Sequence, residues 1–78
     1  MNKLELACLL QKEGVNSSFY SLNGELVPDR MVLFQSYEKW YVFYYDERGN
    51  RRNESMFDSE SDACKYLYEY FKKQYKIR

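Results

Sequence analysis

Six consecutive residues, Trp40-Tyr41-Val42-Phe43-Tyr44-Tyr45, are all aromatic or β-branched. Such side chains fit a pleated, half-buried surface, so the run reads as a strand. Successive strand residues point to opposite faces. Trp40, Val42 and Tyr44 therefore share one face, and Tyr41, Phe43 and Tyr45 share the other. An antiparallel sheet in a small two-layer protein normally keeps one face wet and polar. Here both faces are large and mostly apolar. The strand is either covered on both sides or presents a row of aromatics to something outside the chain.

The flanking sequence supplies the rest of a sheet and two helices. Residues 2–13 hold good helix formers with neither proline nor glycine. Asn2 is placed to cap this helix at its start, and Gly14 followed by Val15 suits a left-handed cap at its end. Asn16-Ser17-Ser18 is a polar connector. Phe19 to Leu22 suggests a short strand and Asn23-Gly24 a tight turn. The following arm, Glu25 to Val27, is short or an edge because Pro28 cannot donate a ladder bond. Met31 to Tyr37 is a second clear strand, with Glu38-Lys39 as the turn into Trp40–Tyr45. Asp46 to Asn50 makes the next turn. Arg51 to Phe57 is a more polar strand, as suits a sheet edge. Asp58 or Ser59 opens the last helix, with Ser59 and Asp62 spaced as a capping box. Ala63, Cys64, Leu67, Tyr70, Phe71, Gln74 and Tyr75 fall on one helical stripe. Lys72, Lys73, Lys76 and Arg78 place cations at the negative helix end. The expected architecture is α+β: a two-layer sandwich of helix, three to four antiparallel strands and helix, with both helices on one sheet face.

A chain of 78 residues makes one small domain, residues 1–78. At this size only about 60% of the unfolded surface is buried, so large side chains must fill a compact core. Nine tyrosines, five phenylalanines and one tryptophan supply that volume. Tyrosine also serves the core edge, with its ring inside and its hydroxyl in water. Glu5 interrupts a short apolar run at the N-terminus, which argues against a secretory leader. No stretch reaches the roughly 18 apolar residues of a membrane span. These readings place the chain in the cytoplasm, off the membrane. Cys8 and Cys64 then read as small buried hydrophobes rather than a disulfide.

Little in the sequence suggests catalysis. The chain has no histidine, which removes the commonest general base and metal ligand and every Ser-His or Cys-His pair. Two distant cysteines lack zinc-site spacing, and Gly14, Gly24 and Gly49 form no phosphate loop. No catalytic residue, cofactor or metal is implied. Twelve basic and twelve acidic residues cancel, whereas nucleic-acid binders usually carry a basic excess. The helix–strands–helix order is also that of double-stranded-RNA-binding domains, which bind by shape. Those domains open their last helix with lysines over phosphate; this chain has Asp58, Glu60 and Asp62 there. Stacking of single-stranded bases on an aromatic sheet face remains an alternative, as does an adaptor role toward another protein. Protein binding suits the composition best, because interface centres favour Tyr, Trp, Phe, Met and Arg within a polar rim. Arg48, Arg51 and Arg52, with Asp46 and Glu47, would form that rim at one end of the sheet.

The stretch Trp40-Tyr41-Val42-Phe43-Tyr44-Tyr45-Asp46-Glu47-Arg48-Gly49, then Met56-Phe57-Asp58-Ser59-Glu60 and Asp62-Ala63-Cys64, resembles small immunity proteins of bacterial polymorphic-toxin systems. Their pattern runs Trp-x-Val-x-Tyr-Ser-Glu-Arg-Gly, then Phe-x-Ser-Glu-x-x-Ala-Cys and a final helix. Tyr20-Ser21-Leu22-Asn23-Gly24 is similar to the family's opening, so the likeness spans roughly residues 19 to 70. One departure is Tyr45, with Asp46 after it, where the pattern has a small residue before the acid. The resemblance implies a cytoplasmic inhibitor that binds a cognate protein toxin and blocks it, not an enzyme, and it carries over no binding residue. The Trp-x-Val-x-Tyr spacing within it makes Trp40, Val42 and Tyr44 the inward set. Tyr41, Phe43 and Tyr45 then become the exposed set, and with Arg48, Arg51 and Arg52 they are the candidate partner-binding residues.

Overall fold

The structure, a computed structural model, describes residues 1–75. Helix α1 spans Lys3–Lys12. A short 3₁₀ turn, Ser17–Phe19, leads into β1, Tyr20–Ser21. Three longer strands follow, β2 at Arg30–Ser36, β3 at Lys39–Tyr45 and β4 at Arg51–Phe57, and then helix α2 at Glu60–Tyr75. The strands form one sheet in the order β1-β2-β3-β4. This is the expected α+β arrangement of helix, strands and helix. Among the described residues no helix is long and apolar enough to cross a membrane.

The helices form where their caps allow. The Asn2 side chain accepts the Glu5 amide at 2.9 Å. At the far end Val15 N–H donates to Leu10 O at 2.8 Å and Gly14 N–H to Gln11 O at 3.1 Å, with Gly14 at φ 84°. This pair of bonds is a Schellman motif, and it folds Val15 back into the core. In α2 the Asp62 amide donates to Ser59 Oγ at 3.2 Å, so Ser59 is the cap. Glu60 does a second job: its carboxylate accepts the Lys3 amide at 3.0 Å and thereby caps α1.

Both helices lie over the same sheet face. Leu6 and Leu10 of α1 pack with Ala63, Cys64, Leu67 and Phe71 of α2 on Met31, Leu33 and Val42. Trp40 and Tyr44 flank this core, half-buried, as the inward assignment requires. The thinnest extent of the chain is 18 Å, room for one helix layer on one sheet. Gln74 is exposed rather than part of the apolar stripe. The Tyr75 side chain, Lys76 and Arg78 lie outside the described residues.

Three further expectations are corrected here. The Asn23-Gly24 segment does not turn a hairpin. Residues 22–29 instead form a loop that returns the chain so that β1 pairs parallel with β2, Tyr20 beside Met31 and Ser21 beside Val32. Pro28 suits such a loop and no strand arm forms. The β2–β3 turn is Tyr37-Glu38, not Glu38-Lys39, since Ser36 pairs with Lys39. That register sets Leu33 opposite Val42 under the helices and puts Tyr37 at the tip, 96% exposed. Cys8 is exposed while Cys64 is buried. Cys8 lies on the outer side of α1, two positions from Leu6 and Leu10, and residues two apart on a helix do not share a face.

Candidate partner-binding face

Alternation and pairing decide which side chains share the helix-free face. From β3 these are Tyr41, Phe43 and Tyr45. Phe34 stands opposite Tyr41 on β2, and Met56 opposite Tyr41 on β4. The Trp40–Tyr45 run thus has one face under helices and one without.

A further correction lies at the centre of this face. Phe43 is fully buried, 0% exposed, although it was expected to be among the exposed set. Its neighbours close over it. The Arg51 guanidinium sits 4.6 Å from the Phe43 ring centre and 5.1 Å from that of Phe34. Phe34 and Tyr45 flank the ring, with centroids 6.4 and 6.5 Å away. Arg51 in turn donates to Glu54 at 3.2 Å. An arginine over aromatic rings is an attractive pairing that also hides apolar surface. Phe43 therefore drops out as a direct contact and becomes the floor beneath Arg51.

Arg51 reaches this face through a β-bulge. Val42 pairs with Ser55 and Tyr44 with Arg52, so Asn53 and Glu54 together oppose Phe43. Asn53 takes φ 55°, a left-handed conformation that Asn tolerates better than most residues. The extra residue inverts the side-chain phase of β4 on either side of it. Arg51 falls beside Tyr45 on the open face, and Arg52 falls beside Tyr44 on the helix face. Adjacent arginines are thus divided between opposite sides of the sheet.

Arg52 is bound within the chain. Its Nε donates to Asp46 Oδ2 at 2.8 Å, while Asp46 Oδ1 accepts the Asn50 amide at 2.7 Å and the Arg48 amide at 3.0 Å. Asp46 thereby ties the whole 46–50 turn to β4. The Arg52 guanidinium, followed by the Asn50 amide, holds this carboxyl below the usual carboxylate range. Arg48 contributes its backbone to the turn and leaves its side chain exposed. On the helix face, burial and a hydrogen bond to Asp29 at 3.1 Å push the Tyr44 hydroxyl up.

Of the six candidates, then, Tyr41, Tyr45 and Arg51 share the open face, with Phe43 beneath. Arg48 stands in the turn at its end, and Arg52 lies on the opposite side. Phe34 and Met56 join the face without having been singled out; Met56 is 58% exposed. Two ion pairs border the aromatics. Arg51–Glu54 lies on one side, and the Lys39–Asp58 pair lies toward the Tyr37 tip. No group of acids and cysteines that could hold a metal occurs among the described residues. Burial raises the Cys64 thiol to about 11, which makes it a poor nucleophile at neutral pH. At the start of α2, Glu60 caps α1 and Asp58 pairs with Lys39, and this acidic turn offers no seat for phosphate. No protein-family profile, curated protein or solved structure matches this chain.

Proposed function

We propose that this protein is an immunity protein that binds a cognate protein toxin and neutralises it by occlusion in the cytoplasm, as an inhibitor and not an enzyme. The observation that supports this reading is the helix-free sheet face. It carries Phe34, Tyr41, Tyr45 and Met56, with Arg51 stacked over Phe43 and Phe34 and the Lys39–Asp58 pair at its edge. Rigid aromatics and a preorganised arginine within a polar rim are the composition of an interface centre. Because Arg51 is already held over two rings, little of its side-chain freedom is left to lose on binding. The resemblance of Trp40–Cys64 to immunity proteins gives the partner its class.

The test is co-expression with the toxin domain encoded beside this chain. The wild type restores growth. Tyr41→Ala combined with Met56→Ser loses rescue while the purified variant stays folded by circular dichroism. Failure of the wild type to rescue, or full rescue by the double variant, overturns the reading or its placement on this face.

A further inference from the structure

The side of β4 opposite the open face carries a second feature. The β4 residues that face α2 are Phe57, Ser55 and Arg52. The Phe57 ring meets the Tyr66 ring at 5.2 Å. Ser55 is too short to reach the helix, and Arg52 is turned to Asp46. Strand and helix are therefore bridged at one end only. Between them runs a trough of about 560 Å³ over Met31 and Tyr44, walled by Tyr66 and Tyr70, with Arg52, Asn53, Glu54 and Ser55 along the strand side; the charges of Arg52 and Glu54 are paired, to Asp46 and Arg51.

We infer that this trough receives a basic side chain, arginine or lysine, presented by a partner protein. Tyrosine walls accept the apolar stem of such a side chain, and ring faces attract its charge. Asp29 and Glu47 stand at one mouth and Glu69 at the other. None of these three carboxylates has an ion pair among the described residues. The two arginines that β4 could set against them are already committed, Arg52 to Asp46 and Arg51 to Glu54. Arg48 stands beside Asp29 and Glu47, and Lys73 beside Glu69, so the acids outnumber the cations not paired elsewhere by three to two. An anionic guest would meet the three carboxylates, and an apolar one would leave their charge unanswered. A cation on a flexible stem suits both the tyrosine walls and the excess of carboxylates at the mouths. This assignment goes beyond the toxin reading and holds for any protein partner.

The probe is hexa-arginine, titrated into the full chain and followed by amide chemical shifts, with hexaglutamate as control. Saturable, salt-sensitive shifts at Asn53, Ser55, Tyr66 and Tyr70 are expected with hexa-arginine alone. Tyr66→Ser should weaken binding about tenfold. Glu69→Lys, an exposed change that leaves the tyrosines in place, should weaken it several-fold. Shifts scattered over acids remote from the trough, such as Glu5 and Glu13, overturn the assignment. So does equal binding by Glu69→Lys or by hexaglutamate. The titration contains no toxin, so its failure and a failure of growth rescue are separate results.

Discussion

Phe43 has no solvent contact on a sheet face that no helix covers, because Arg51, Phe34 and Tyr45 close over its ring. Phe43→Ala removes the floor of that stack and should destabilise the protein by about 3–5 kcal/mol, measured by urea unfolding. A loss below about 1 kcal/mol would mean that the stack does not shield the ring. Burial also separates the two thiols. Iodoacetamide on the native protein should label Cys8 and spare Cys64, as read by peptide mass spectrometry. Equal labelling would show that the α1–α2 core opens on the labelling timescale. At the Tyr37 tip, φ 58° strains a bulky side chain. Tyr37→Asn should stabilise the hairpin by up to about 1 kcal/mol, seen as a higher Tm.

At the scale of elements, the bulge is the feature that governs the surface. Asn53→Gly keeps the left-handed conformation and should leave stability within about 1 kcal/mol. Asn53→Val should cost about 1–3 kcal/mol and shift the amides of Arg51 and Arg52 together. Unchanged amides in that variant would place the phase inversion elsewhere. The helices, their caps, β2, β3 and the edge character of β4 were legible in the sequence, because each rests on local chemistry: Asn2 and Ser59 as caps, Gly14 at positive φ, and apolar periodicity in between. The inward face of β3 was legible from Trp-x-Val-x-Tyr. The bulge was not, since an Asn between Arg52 and Glu54 also reads as an ordinary edge residue. Strict alternation puts Arg51 with Phe57 on the helix face, so the stack on Phe43 could not be foreseen. The parallel β1 was hidden for a related reason: Asn23-Gly24 is a strong hairpin signal, and only tertiary packing of Gly24 against the Phe34 ring, with an added Cβ 3.4 Å from Cδ2, shows its other use.

For the whole molecule, Asp46 sets a pH dependence. Its carboxyl is depressed in the folded state, so its stabilisation is present above the ordinary carboxylate range and is lost as pH falls through the folded value. The stability difference between wild type and Asp46→Asn should stay constant above about pH 5 and shrink below about pH 4, as followed by urea midpoints across pH. A difference that persists to pH 2 would exclude the ionised Asp46–Arg52 pair as its source. The clasp between Glu60 and the start of α1 has a kinetic meaning as well. It joins residues 57 positions apart, whereas β2, β3 and β4 are joined by short turns and form early at low entropic cost. Helix α1 shares no ladder with the sheet and is held by side-chain packing and by hydrogen bonds to the start of α2, among them this one and that from Met1 N to Ser61 Oγ. Its amides should therefore exchange with solvent through a partial opening that leaves the β3 amides protected. The first helix of the chain would then be the last to dock and the first to leave, and the remaining sheet with α2 would be the slowest-exchanging unit of the protein.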